Sequence, residues 1–222
     1  MKLGLTGAMT NGVSNWLDAY DINNMTVIGA AGVVSVDELP NGTSQGTANT
    51  QGYALQFGVD ARPSSTGAFE ASTSLPNPFG ANAPLAGHSY GMQVGTGTQS
   101  AYVKIVVSGA NGGEVQLVRE VGDVAQVLAT TPLAMPGPLK LDAFIWVNPA
   151  TNTMQASFTT TAPNGVTSGR ILLGAPFTVP ASWFQSGFAV GLIGTSGGAA
   201  APTSGSWDFL KVLSAPTAPV NG

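Results

Sequence analysis

Hydrophobic and polar residues alternate along most of this chain with a period of two, not 3.6. In 139–148, Leu139, Leu141, Ala143, Ile145 and Val147 make one aliphatic set, and Lys140, Asp142, Phe144, Trp146 and Asn148 make the other. In 101–108, Val103, Ile105 and Val107 alternate with Tyr102, Lys104 and Val106; in 153–161, Met154, Ala156 and Phe158 alternate with Gln155, Ser157 and Thr159. Side chains of a strand point to opposite faces in turn, so each set reads as one face, and the last two patterns suit strands with one wet face. The pattern predicts strands over 26–36, 52–60, 67–74, 89–95, 101–108, 114–121, 125–130, 139–148, 153–161, 168–173, 188–195 and 206–213. Turn residues separate them: Pro40-Asn41-Gly42, Asn111-Gly112-Gly113, Asn148-Pro149 and Pro163-Asn164-Gly165. Pro76, Pro78 and Pro84 make 75–87 a long loop, and 15–20 reads as one short helical turn.

Composition narrows this to an all-β chain. Only 8% of the 222 residues are charged, against about 25% in a typical globular domain. Surface helices need Glu, Lys and Arg at i,i+4 spacing, and too few are present. The length suits one large core. The net charge is −4, and Lys2, Lys104, Lys140, Lys211, Arg62, Arg119 and Arg170 are scattered. Nucleic-acid binding needs a basic stripe, so that class is excluded. No apolar run approaches the roughly 20 residues that span a bilayer, so no membrane insertion is expected. Cysteine is absent, which removes disulfides, thiol nucleophiles and cysteine-ligated zinc.

From Gly67 onward the chain resembles the concanavalin A-like lectin/glucanase superfamily, a LamG-like jelly-roll module of secreted proteins. Gly67-Ala68-Phe69-Glu70-Ala71 resembles its early strand, and 88–95 with Tyr102-Val103-Lys104-Ile105 resembles its central strand pair. Residues 141–149 with 154–158 are similar to its hairpin, 188–196 to its late strand, and Trp207-Asp208-Phe209-Leu210-Lys211-Val212 to its closing strand. The resemblance implies a two-sheet antiparallel β-sandwich over 26–213. Residues 1–25 would then pack on it, and the Pro/Thr/Ala-rich 214–222 would form a linker or tail. It also implies a Ca²⁺ tying the N-terminal segment to the closing strand, with Asp208 at the matching acidic position. Calcium takes six to eight oxygens, many from backbone carbonyls, so one or two carboxylates suffice.

Members of this superfamily bind glycans, adhere to surfaces or cleave sugars, so fold leaves function open. Glycan hydrolysis needs two carboxylates flanking the scissile bond. The run Glu-x-Asp-x-x-Glu of the superfamily's glucanases is missing; Asp37 and Glu38 would face opposite sides, and Glu114 and Glu120 would share a face far apart. Lyase chemistry wants a His or Tyr base; His88 is the sole histidine, with Tyr90 two residues on, and both suit structural places. Gly-x-Ser-x-Gly and phosphate-binding fingerprints are absent. The chain is therefore not expected to be an enzyme.

Sugar recognition uses flat aromatics for apolar sugar faces and polar groups for hydroxyls. Trp146 and Phe144, with Lys140 and Asp142, form a candidate platform, extended by Tyr102, Lys104 and Gln93. The competing reading covers this face with a second layer, such as the N-terminal segment with Trp16. Trp183 reads as a loop anchor and Trp207 as core. Two expectations follow. The first is a noncatalytic extracellular or cell-surface module binding a polysaccharide or other glycan. The second is a self-assembling component of a fibre, envelope or shell that packs against like subunits or neighbouring domains of a longer chain.

Overall fold

The structure, a computed structural model, describes residues 4–5, 25–28, 33–39, 41–43, 45–48, 53–80, 85–133, 137–185, 187–197 and 203–222. These form fifteen strands. In chain order they are β1 (Gly4–Leu5), β2 (Met25–Ile28), β3 (Val33–Leu39), β4 (Tyr53–Asp60), β5 (Phe69–Pro76), β6 (Ser89–Thr98), β7 (Ala101–Ser108), β8 (Glu114–Val121) and β9 (Val124–Pro132). They continue with β10 (Lys140–Asn148), β11 (Thr153–Thr161), β12 (Ile171–Thr178), β13 (Phe188–Thr195), β14 (Thr203–Trp207) and β15 (Leu210–Ser214). The expected helical turn at 15–20 and Trp16 lie outside the described residues.

Every pairing is antiparallel. One sheet runs β1-β4-β13-β6-β7-β8-β9, a second β12-β11-β10-β5-β15, and a small third β14-β3-β2. The two large sheets face each other across one core. Of the aliphatic set expected to face the core, Leu141, Ala143, Ile145 and Val147 enter it from β10, whereas Leu139 precedes the strand and is exposed; Val103, Ile105 and Val107 enter from β7. Phe188 stacks on Phe184 with ring centroids 5.2 Å apart and meets the edge of Phe69 at 5.9 Å. The alternation seen in the sequence is thus the inside–outside pattern of a sandwich.

Trp207 is core, as expected. Its Nε1 donates to the Gly91 carbonyl at 2.9 Å, and Tyr90 meets its ring edge-on. Trp183 sits buried in a short 3-10 turn, Ala181–Phe184, where it anchors the approach to β13.

Three strand expectations change. The strand predicted at 26–36 is two, β2 and β3, paired with each other. The strand predicted at 206–213 divides at Asp208: β14 joins the small sheet, β15 joins the five-stranded one, and the Asp208 amide donates to Ser74 O across the switch. The strand predicted at 168–173 is shifted to Ile171–Thr178. Gly174-Ala175-Pro176 lies within β12, which is the outermost strand of its sheet. There a proline costs no ladder bond, and Gly174 at φ +76 absorbs the register shift between Met154 and Ala156.

Candidate functional site

The residues expected to form one platform lie on two opposite outer faces. Gln93, Tyr102 and Lys104 belong to the seven-stranded sheet; Lys140, Asp142, Phe144 and Trp146 belong to the five-stranded sheet. The single platform is therefore corrected. Alternation placed each residue on an outward face, but it carries no information on which sheet a strand joins.

The outer face of the seven-stranded sheet is built in rows. Gln56, Gly191, Gln93 and Lys104 follow one another across β4, β13, β6 and β7. Gln93 Nε2 donates to Gln56 Oε1 at 3.2 Å, and Gln56 Nε2 to Gly97 O at 3.0 Å. One row on, Tyr102 faces Glu120, and its hydroxyl donates to Glu120 Oε2 at 3.1 Å. The expected wet face is covered: Tyr102 is 1% exposed and Lys104 4%. Part of the cover is the turn Gly46–Ala48, whose Gly46 amide donates to Glu120 Oε2 at 3.0 Å. Burial raises the Glu120 carboxyl above its ordinary value, against these hydrogen bonds and the charge of Lys104. Burial also pushes the Lys104 ammonium down to about 8, with Glu120 working the other way.

Beside this buried network the same face opens into a cleft of about 520 Å³. Ser89, Lys104, Val106, Ser108, Gln116 and Thr195 supply its floor from four adjacent strands, and Thr43 and Gln45 contribute from the overlying segment. Gln116 Nε2 donates to Glu114 Oε1 at 2.6 Å, which leaves the amide oxygen as an acceptor. Thr195 Oγ1 donates to Gly42 O at 2.6 Å and ties the overlying segment to the sheet. Gly87 and Gly197 make the wall. Their backbones touch so closely that a Cβ on Gly87 would lie 2.2 Å from Gly197 O, and both have positive φ, so only glycine fits.

Sequence reading missed Gln116, Gln45, Thr43, Ser89, Ser108 and Thr195. Parity was a signal for three of them: Gln116 shares the face of Glu114 and Glu120, Ser108 that of Tyr102 and Lys104, and Ser89 that of Gln93.

The outer face of the five-stranded sheet is closed differently. Trp146 is 6% exposed, and its Nε1 donates to the Ala215 carbonyl at 2.8 Å. Its cover includes the C-terminal segment: the Ala215 amide donates to Ala68 O, the Gly222 amide to Arg170 O, and Asn221 Oδ1 accepts from the Leu172 amide. The Arg170 guanidinium lies 3.9 Å from the centre of the Phe144 ring and pairs with Glu70 at 2.9 Å. Lys140 pairs with Asp142 at 3.0 Å. The four residues do form one patch, but the two aromatics are capped by other parts of the chain.

Asp208 sits half-buried at the strand switch. Among the described residues no group of three or more His, Asp or Glu side chains comes together there or elsewhere. Among the described residues no helix is long and apolar enough to cross a membrane.

No family model matches the sequence, and no curated protein does. Solved structures match in fold. A GH43 protein from Bacillus licheniformis, as its K247S mutant, superposes with a TM-score of 0.67 at 12% identity, over 88% of this chain and 35% of that one. A xylan β-1,4-xylosidase from Bacillus halodurans gives 0.65 at 14%, over 87% and 35%. The metal-free form of lectin I-B4 from Griffonia simplicifolia gives 0.51 at 12%, over 86% and 91%. The chain spans about a third of the length of the two bacterial structures. At these identities the likeness is one of fold alone: a two-sheet antiparallel jelly-roll β-sandwich.

Proposed function

We propose that this chain is a noncatalytic glycan-binding module that acts outside the cell or at its surface, with the cleft of the seven-stranded sheet as its binding site. The observation that carries this reading is the cleft itself. Its volume falls within the roughly 300–1,000 Å³ of small-molecule sites. Its lining is mainly amides, hydroxyls and glycine backbone, groups suited to the hydroxyls of a sugar, with Lys104, Val106 and Ala110 beside them. The lectin-type fold fits this use.

The noncatalytic part has separate support. Among the described lining residues none is a carboxylate, whereas glycoside hydrolysis uses two. Glu114 lies behind Gln116 and is engaged by Asn111 and Gln116; Glu120 is engaged by Gly46 and Tyr102. The GH43 likeness covers too little of those proteins to bring their chemistry here.

The test is a polysaccharide retention screen, run with calcium and again with chelator. Retention by at least one polymer, lost in Gln116→Ala and kept in Arg170→Ala, is the expected result. Silence across the screen from a folded, monodisperse protein would sink the reading. A self-assembling module is the second reading, and its support is β9. This outermost strand of the seven-stranded sheet leaves Val124 71% and Val127 50% exposed. Sedimentation showing concentration-dependent assembly, without glycan retention, would put that reading first.

A further inference from the structure

The chain leaves β5 through a turn with an uncommon backbone. Asn77, Phe79 and Gly80 all hold positive φ, at 46°, 66° and 62°. Glycine and asparagine enter that region readily; for a bulky aromatic it costs about 1–2 kcal/mol. The turn is pinned all the same: the Asn77 amide donates to Leu139 O at 2.6 Å, and the Gly80 amide to Asn77 O at 3.0 Å. Strain held in place by its surroundings clusters at binding sites and ligand clamps.

Here the strained residue stands at a cavity. Phe79 and Tyr90 line a space of about 510 Å³, separate from the cleft. Phe79 is half-buried and meets Tyr90 edge-on with ring centroids 6.0 Å apart; Tyr90 meets Trp207 in the same way at 5.5 Å. Thr203, Ser204 and Ser206 line the space from β14, and Asn77 lines it from the turn. Ser206 Oγ is shared with Ser35 Oγ at 2.9 Å. Asn77 and Ser204 are exposed, and Thr203 is half-buried. Among the described residues of the lining none is charged. Consecutive residues of β6 serve the two sites: Ser89 lines the cleft on one face of the strand, and Tyr90 the cavity on the other.

Resting on the glycan-binding reading above, we infer that this cavity is a second sugar subsite, selective for an uncharged ring whose apolar face packs on Phe79 and whose hydroxyls meet Asn77, Thr203 and Ser204. A flat aromatic beside a few polar groups is the combination that holds a sugar: the ring takes the C–H face, the amide offers two donors and an acceptor, and each hydroxyl offers either. A carboxylate or sulfate ester would be desolvated there with no cation among the described lining residues to receive it, which selects against acidic sugars. Two subsites on one rigid module raise retention of a repeating polymer by avidity.

The experiment is an NMR titration of the whole chain with xylotetraose, cellotetraose and galactotetraose, and with tetragalacturonate as the acidic counterpart, for wild type, Phe79→Leu, Asn77→Gly and Gln116→Ala. Leucine keeps apolar bulk without the flat ring; glycine keeps the positive-φ turn without the amide. At least one neutral tetrasaccharide should shift the backbone signals of 77–80 and 203–206 as well as those around Gln116. Phe79→Leu and Asn77→Gly should each weaken the first set about fivefold, and Gln116→Ala should remove only the second. Shifts confined to the cleft, shifts at 77–80 indifferent to both turn variants, or equal shifts there with tetragalacturonate would overturn the inference and leave the glycan-binding reading standing. Silence from every sugar, from protein with an intact thermal transition, would overturn both.

Discussion

The two outer faces of this sandwich solve the same problem in opposite ways. Both large sheets turn polar residues outward, and the central strands of both faces are covered in part. The seven-stranded sheet keeps polar and ionisable groups under its cover, including Gln56, Gln93, Lys104 and Glu120, and beside them leaves a cleft. The five-stranded sheet covers Trp146 together with neutral polar groups, Gln155, Ser157, Ser72 and Ser74, and holds its Lys140–Asp142 and Arg170–Glu70 pairs partly exposed. The difference teaches where to look for binding. An aromatic whose N–H is taken by a backbone carbonyl of its own chain is doing structural work; a cleft floored by amides and hydroxyls has hydrogen-bonding capacity to offer.

That contrast can be broken most forcefully at Trp146. Trp146→Ala removes a large buried ring and the bond to Ala215, and should cost about 3 kcal/mol or more in urea unfolding. Glycan retention under native conditions should persist. Loss of retention at full stability would return the binding site to the five-stranded face.

The pH dependence of stability sharpens the other side. Lys104 is held near pH 8 in the fold, against an ordinary 10.5. Between these values the unfolded chain binds the extra proton, so this contribution raises stability as pH climbs from 8 to 10.5. Glu120 runs the other way: its raised value makes the folded chain the better proton binder just above the ordinary carboxyl range, so stability falls as pH rises through that window. Chemical denaturation from pH 7 to 10.5 should show the alkaline rise in wild type and a flatter line in Lys104→Met.

Gly87→Ala tests the cleft wall. A Cβ there meets Gly197 O in a left-handed backbone, so roughly 1–3 kcal/mol of stability should be lost together with glycan retention. Retention at wild-type strength would show that the wall is not part of the site. The smallest effect belongs to Arg170→Ala on the opposite face. Losing a partly exposed ion pair and the contact with Phe144 should lower stability by about 1 kcal/mol or less, with binding untouched.

The sequence by itself determined the sandwich class and most of its strands. Period-two alternation is a local property, and strands such as β7, β8, β10 and β11 fall where it placed them. It also determined the inward sets, because Leu141, Ala143, Ile145 and Val147 can only be aliphatic on one face. It identified Trp207 as core and Trp183 as an anchor. It did not foresee that Pro176 lies within a strand, because that depends on β12 being outermost.

Only the tertiary structure decided the site. Whether Trp146 and Lys104 share a face depends on which sheet each strand joins, a matter of pairing between residues far apart in the chain. Whether Trp146 is open depends on Ala215, 69 positions away. The cleft is assembled from β6, β7, β8 and β13, from Gly42, Thr43 and Gln45, and from a contact between Gly87 and Gly197. None of these has a local pattern, because a concave polar surface is made by the distance between strands and loops and not by the order of residues along any one of them.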